Sequence, residues 1–135
     1  MSFASAQLAL EVQLATPLAG WTVQWPNGPK IKPDGAAYSE VFHMPGRTAV
    51  DTLGQHGCDV TPGITQVDLY FALETGNNAA AAAVDTFRTS FAAGQWLTNS
   101  GQAVLVRSCG PGPGRKDGSY YKSVITIEWE ARISR

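Results

Sequence analysis

The sequence has no excess of charge of either sign. Its 135 residues include 10 Lys and Arg and 11 Asp and Glu, which gives a formal net charge of -1. A chain this close to neutrality lacks the basic surface that binds DNA or RNA and the polybasic patch that binds an anionic membrane. We therefore expect neither a sequence-specific nucleic-acid partner nor a membrane partner.

Long apolar runs and a basic N-terminus are also missing. No stretch approaches the roughly 18 apolar residues of a membrane-spanning helix. The start of the chain, "MSFASAQLALEVQLATPLAG", has no Lys or Arg before its apolar part and is interrupted by Glu11. It does not fit the pattern of a secretory signal.

Cysteine is scarce, because Cys58 and Cys109 are the only two. In a cytosolic chain both are expected to be free thiols, and a Cys58–Cys109 disulfide is the alternative. The metal-capable side chains His43, His56, Cys58 and Asp59 show neither C-x-x-C nor H-x-x-x-H spacing. We expect no metal and no cofactor, and we keep a small metal-dependent or Cys/His hydrolase as the alternative from another class of protein.

The length and the 44% hydrophobic content predict one domain, residues 1–135, with a single core. Ser2 can cap a helix that runs to about Ala15. A second helix is predicted in "TGNNAAAAAVDTFRTSFAAG", which Asn77 or Asn78 can cap. It has one apolar stripe, made of Ala80, Val84, Phe87 and Phe91.

Alternating apolar residues predict the strands. They fall at Trp21–Trp25, about Ala37–Thr52 with a bend at Pro45-Gly46, Ile64–Leu73, Gln102–Ser108 and Tyr120–Ile133. The Gly- and Pro-containing stretch Leu53–Gly63 is predicted to be a loop. The four tryptophans, Trp21, Trp25, Trp96 and Trp129, are interpreted as core and subunit contacts rather than as stacking platforms for bases or sugars.

The last strand has the most informative pattern. One face carries Ile125, Ile127, Trp129, Ala131 and Ile133, and the other carries Lys122, Thr126, Glu128, Glu130 and Arg132. A sheet with one apolar and one charged face packs helices only on the apolar one. We therefore predict an α+β fold, in which two helices pack on one face of a single mixed, mainly antiparallel sheet of four to five strands.

The stretch "GPGPGRKDG", residues 110–118, lies between the last two predicted strands. It is not a phosphate-binding loop, because the G-x-x-x-x-G-K-[ST] pattern is absent and Pro111 and Pro113 have no backbone N–H. We interpret it as a long hairpin loop that carries Arg115, Lys116 and Asp117 at its tip. Glu128 and Glu130 share their face with basic residues, which argues against a glycosidase pair of carboxylates.

The order of these features resembles the tail terminator proteins of long-tailed bacteriophages. The resemblance rests on an N-terminal helix, a strand ending "WPN", the approach "PKIKPDGAAY" to a bent strand, the passage "LGQHGCDVTPGITQVDLYF", the helix start "TGNNAAAAAVDTF" and a closing hairpin. It spans about Leu8 to Ile133, and none of its motifs is catalytic.

The resemblance implies a structural virion protein made in the bacterial cytoplasm and located at the neck end of the tail, not an enzyme. It implies a homohexameric ring that binds the last ring of the tail tube protein, stops tube polymerisation and offers a surface to head-completion or neck proteins, with a lumen through which DNA can pass. A head–tail connector and a generic α+β interaction module are alternatives. The expected interface residues are Arg47, Arg115, Lys116, Asp117, Lys122, Glu128, Glu130 and Arg132.

Overall fold

The computed structural model describes residues 2–32, 36–74 and 76–135, which form two helices and eight strands. In chain order these are α1 (Phe3–Leu14), β1 (Thr22–Gln24), β2 (Tyr38–Pro45), β3 (Ala49–Val50), β4 (Cys58–Ala72), α2 (Asn78–Ser90), β5 (Trp96–Asn99), β6 (Gln102–Pro111), β7 (Arg115–Asp117) and β8 (Tyr120–Ser134). Part of the Pro-rich approach to β2, namely Pro33, Asp34 and Gly35, lies outside the described residues.

The eight strands form one mixed sheet. Across it the order is β1, β2, β4, β8, β6 and β5, while β3 pairs with β4 and β7 pairs with β8. β1 is parallel to β2, and the other pairs are antiparallel. The long strands β4 and β8 pair from Cys58 opposite Ser134 to Ala72 opposite Tyr120 and form the middle of the sheet.

The α+β class was predicted correctly, but the expected count of four to five strands was wrong. The additional strands are short: β3 has two residues, β7 three and β5 four. The alternation of apolar and polar residues that marks a strand cannot be recognised in so few residues. These short strands form because longer neighbouring strands offer unpaired backbone N–H and C=O groups.

β4 begins at Cys58, so the second half of the expected loop Leu53–Gly63 is strand. The Pro62 carbonyl accepts a hydrogen bond from the Gly46 N–H (2.7 Å) and therefore faces the gap between β2 and β3. In an antiparallel strand the N–H and C=O of one residue point to the same side. The N–H that Pro62 lacks would thus point into that gap, which is why a proline is tolerated inside this strand.

Both helices pack on the same face of the sheet. α1 starts as predicted, because the Ser2 hydroxyl accepts the Ser5 N–H (3.1 Å). α1 contacts β5, β6 and β8, and α2 contacts β6 and β8. The Gln13 side-chain amide donates to the Ser90 carbonyl (2.7 Å) and joins the two helices. The core between helices and sheet is formed by Ala6, Leu10, Leu14, Val67, Leu69, Ala80, Phe87, Phe91, Val104, Val106, Ile125, Ile127 and Trp129.

Residues 110–118 do not form the single hairpin loop that was expected. β6 continues to Pro111, the Gly112 N–H donates to the Val124 carbonyl (2.7 Å), and β7 pairs with the start of β8. The chain therefore follows β8 along most of this stretch, and the tip of the hairpin is the tight turn at Gly118-Ser119. A Cβ at Gly114 would overlap the Tyr121 hydroxyl, so glycine allows this aromatic side chain to lie against the backbone.

No helix in the described part of the chain is both long and apolar enough to cross a membrane.

Candidate functional site

The face of the sheet opposite the two helices is the candidate site, and we call it the open face. In β8 the side chains of Ile125, Ile127 and Trp129 are buried toward the helices, so Thr126, Glu128 and Glu130 between them point to the open face. The expected division of β8 into an apolar and a charged side is confirmed.

The open face is convex. α1 contacts β5 near one edge of the sheet, and Glu11 of α1 lies 3.3 Å from His43 of β2 near the other edge. A sheet that reaches one helix from both sides must curl around it. Side chains on the open face of β2 and β5 therefore point away from each other.

Four of the eight expected interface residues lie on the open face of β8, and three of those four hold ion pairs within the chain. Lys122 pairs with the buried Asp68 (3.2 Å). Glu130 pairs with Arg107 (2.7 Å) and lies 3.8 Å from Arg132. Arg132 also pairs with Asp51 (3.6 Å). Glu128 is exposed and has no ion pair among the described residues.

The other four expected residues are exposed. Arg115 lies opposite Lys122 and Asp117 opposite Tyr120, so both share the open face with Lys122, whereas Lys116 points to the other side. Arg47 lies in the break between β2 and β3. The structure therefore brings Arg115, Asp117 and Lys122 together at one end of the open face.

Exposed apolar side chains on the same face were not predicted as site residues. Phe42 and Met44 of β2, Ile64 of β4 and Trp96 of β5 are each more than a third exposed. The alternation in "EVFHM" places Phe42 and Met44 opposite the buried Val41 and could have identified them. Trp96 is assigned to this face only by its pairing with Leu105, which in turn lies opposite Glu130.

Two clefts open on this face. One, of about 470 Å³, lies over the break between β2 and β3 and is lined by Met44, Ile64, Arg107 and Glu128 among others. The second, of about 570 Å³, lies at the β1–β2 edge. The residues that line it include Trp25, Pro26, Glu40, Phe42 and Met44, of which Trp25 also packs against the core.

Three tyrosines form an aromatic cluster where β2, β4 and β8 meet. Tyr38 and Tyr70 stack with ring centroids 4.4 Å apart, and Tyr120 meets Tyr38 edge-on at 5.1 Å. Burial raises the pKa of Tyr70 to about 12, with the nearby Asp68 carboxylate acting in the same direction. Tyr70 is therefore a neutral phenol at ordinary pH. The three rings form an uncharged aromatic surface beside the charged side chains of Asp68 and Lys122.

His43 belongs to a hydrogen-bonded chain inside the core. Its Nδ1 lies 2.9 Å from the Thr65 hydroxyl, which also accepts the Trp129 indole N–H (3.0 Å). Its Nε2 lies 3.3 Å from Glu11. When Nδ1 accepts from the Thr65 hydroxyl and the Nε2–H donates to Glu11, each of these contacts is satisfied. His43 therefore joins α1 to the sheet.

The other metal-capable and nucleophilic candidates do not assemble. His56 is exposed, and Cys58 and Cys109 are free thiols. Burial raises the pKa of the Cys109 thiol to about 11, which keeps it in its unreactive protonated form. Within residues 2–32, 36–74 and 76–135, no three His, Cys, Asp or Glu side chains lie close enough together to hold a metal ion.

A family model described as "Phage tail terminator protein" matches residues 5–129, which is nearly the whole chain. The chain belongs to the phage tail terminator family. Membership of this family gives it a structural role in a phage tail and makes it a component of the virion. The resemblance inferred from the sequence is confirmed.

A solved protein structure has the same fold as this tail terminator family member. The two superpose with a TM-score of 0.78 at 22% sequence identity, over 98% of this chain and 97% of the other. At that identity the likeness establishes the fold alone. No curated protein matches the chain.

Proposed function

We propose that this protein caps the finished tail tube as a homohexameric ring, stops tube polymerisation and offers the attachment surface for head-completion or neck proteins. The observation that carries the proposal is the open face, where exposed apolar side chains alternate with charged ones on a sheet that has no helix over it. A convex face of this composition suits contacts between proteins more than catalysis.

A ring requires that the same contact repeats between successive subunits and closes. We assign the lateral contact to the open face and the edges of the sheet that border it. Lys122, Glu130 and Arg132 already hold ion pairs within the chain, so their charges would fix the register between neighbours rather than add much affinity.

The exposed charges on β7 and in the break between β2 and β3 are assigned to the axial contacts. Arg115, Lys116 and Asp117 lie on β7 beside the Gly118-Ser119 turn, and Arg47 lies in the break between β2 and β3. Without intrachain ion pairs among the described residues, Arg47, Arg115 and Lys116 are available to the tube protein or a neck protein. In this assignment the chain works without enzymatic activity, metal or cofactor, and DNA passes through the lumen.

Complementation of a phage that lacks this gene tests the proposal. With the intact chain we expect tails of uniform length joined to heads. Without it we expect tubes of uncontrolled length in electron micrographs. Tails of normal length that fail only to join heads would instead identify a head–tail connector.

The axial assignment is tested in the same assay with the double variant Arg115→Ala/Lys116→Ala. We expect irregular tail length or loss of head joining. The matched control is Asp85→Ala/Arg88→Ala, which removes two exposed charged side chains from α2, on the opposite side of the sheet from the open face. Normal tails from the Arg115→Ala/Lys116→Ala variant would show that β7 does not contact the tube or the neck.

A further inference from the structure

The two edges of the sheet differ in shape on the open face. β5 is one edge strand, and its Trp96 is 58% exposed, although tryptophan is usually well buried. Trp96 lies beside Leu105 and points away from the core. This edge therefore presents a large aromatic side chain as a projection.

The opposite edge presents a cavity. At the β1–β2 edge the cleft of about 570 Å³ is lined by Trp25, Pro26, Phe42 and Met44, and two of these, Phe42 and Met44, are 41% and 45% exposed. The volume lies within the range of cavities that enclose a small-molecule ligand and so admits an indole ring. Aromatic and thioether walls suit an indole, because sulfur–aromatic and edge-to-face ring contacts are favourable.

The charges at the two edges are complementary. From Ala92 to Pro113 the chain has a single charged residue, Arg107, and its side chain is 58% exposed. The cleft at the other edge is lined by the acidic residues Glu40 and Asp68. Asp68 is neutralised by Lys122, whereas Glu40 has no ion pair among the described residues. Arg107 is paired with Glu130 (2.7 Å), and Glu130 also lies 3.8 Å from Arg132, so two arginines share one carboxylate. The exposed Arg107 can therefore exchange this shared partner for the free Glu40 carboxylate when two copies meet edge to edge.

We propose that Trp96 of one subunit inserts into the β1–β2 cleft of the next subunit, with Arg107 approaching the neighbour's Glu40. The occupant of the cleft is a second copy of this chain, because both complementary halves are present on every copy at opposite edges of one sheet. A contact of this kind is head-to-tail, and it forms a ring when the rotation between subunits closes. This inference rests on the proposed ring and specifies its lateral contact.

Photo-crosslinking on assembled tails tests the contact. Trp96 is replaced by p-benzoylphenylalanine, which keeps a large aromatic side chain, and the variant is supplied to a phage that lacks the gene. β2 and β5 are separated by β4, β8 and β6, about 19 Å along the sheet at the usual strand spacing. An adduct between position 96 and Phe42, Met44, Trp25 or Pro26 must therefore join two copies, and we expect it by mass spectrometry of the crosslinked peptides.

Two substitutions and a control accompany the crosslink. Trp96→Ala is expected to abolish the ring on tails, while Trp96→Phe restores most of it, and both variants should fold because the side chain is exposed. The control is Val12 replaced by p-benzoylphenylalanine, since Val12 is equally exposed but lies on α1. It should give no adduct with the cleft.

The outcomes separate this inference from the proposed function. A ring whose position 96 crosslinks to another part of the neighbour, or to a different tail protein, would overturn the contact and leave the capping function intact. A ring that assembles normally with Trp96→Ala would do the same. Tails of normal length and no ring in the presence of the intact chain would overturn the proposed function and this inference together.

Discussion

At the scale of the residue, Gly63 shows how closely the core is packed. It lies on β4 directly opposite Trp129 of β8, whose side chain is 1% exposed. A Cβ at Gly63 would overlap the Trp129 indole, and the nearest atoms of the six-membered ring cannot move away without disturbing the core. Glycine is needed here to admit the indole ring, and no unusual backbone angle is involved.

We therefore expect Gly63→Ala to lower the free energy of unfolding by about 1–3 kcal/mol, the usual cost of overpacking a core. Thermal and urea unfolding measure it. Gly110→Ala is the matched control, because glycine there is also within a strand but a Cβ would meet no atom within 4 Å. Equal stability of the two variants would show that the core beside Trp129 has spare room.

At the scale of the element, the Thr65 hydroxyl of β4 joins three strands. It contacts His43 of β2 and accepts the indole N–H of Trp129 of β8, and His43 in turn contacts Glu11 of α1. Thr65→Val keeps the shape of the side chain but leaves the Trp129 indole N–H and the His43 Nδ1 without their partner. A buried polar group without a hydrogen bond costs about 1–3 kcal/mol. We expect this variant to be destabilised by about 2 kcal/mol or more, as measured by urea denaturation.

The control for this prediction is Thr126→Val, which makes the same change on the open face, where the Thr126 hydroxyl has no hydrogen bond to another described residue. It should change stability by less than about 0.5 kcal/mol. If Thr65→Val were as stable as Thr126→Val, the hydrogen-bonded chain would contribute nothing to the docking of α1.

The elements differ in how well the sequence predicts them, for a physical reason. α2 and β8 are long enough for a period of 3.6 or 2 to be read directly, and their buried faces were identified. α1 was located by its Ser2 cap rather than by an apolar stripe. β5 and β7 are too short for a period of two to be recognised, and each is held by pairing with the longer strand that follows it, β6 or β8. β4 continues through Pro62 only because of a gap in the neighbouring strands, which is a tertiary feature.

The features of the candidate site also differ in whether the sequence predicts them. The charged side of β8 follows from alternation within a single strand. The pairing of Lys122 with Asp68, the cleft at the β1–β2 edge and the position of Trp96 depend on which strands are neighbours. Strand order is set by long-range contacts, and these are not encoded in any one segment.

At the scale of the whole molecule, the open face determines how the free protein behaves. Its large exposed apolar side chains, Phe42, Met44, Ile64 and Trp96, are separated by polar and charged ones. A stable interface usually buries about 800 Å² on each partner. In the ring that we propose, Trp96 in a neighbour's cleft would make few other apolar contacts. The lateral association would then be weak, and the tube end would strengthen it by holding six subunits together.

We expect the purified protein to be monomeric, with the mass of a single 14.4 kDa chain, in light scattering over a micromolar concentration series. Trp96→Ala should leave that mass unchanged and should differ from the intact chain only on tails, where we propose that the ring assembles. A stable hexamer at micromolar concentration would contradict this. The lateral contacts would then be strong enough to close the ring without the tube, and the capping step would be the docking of a preformed ring.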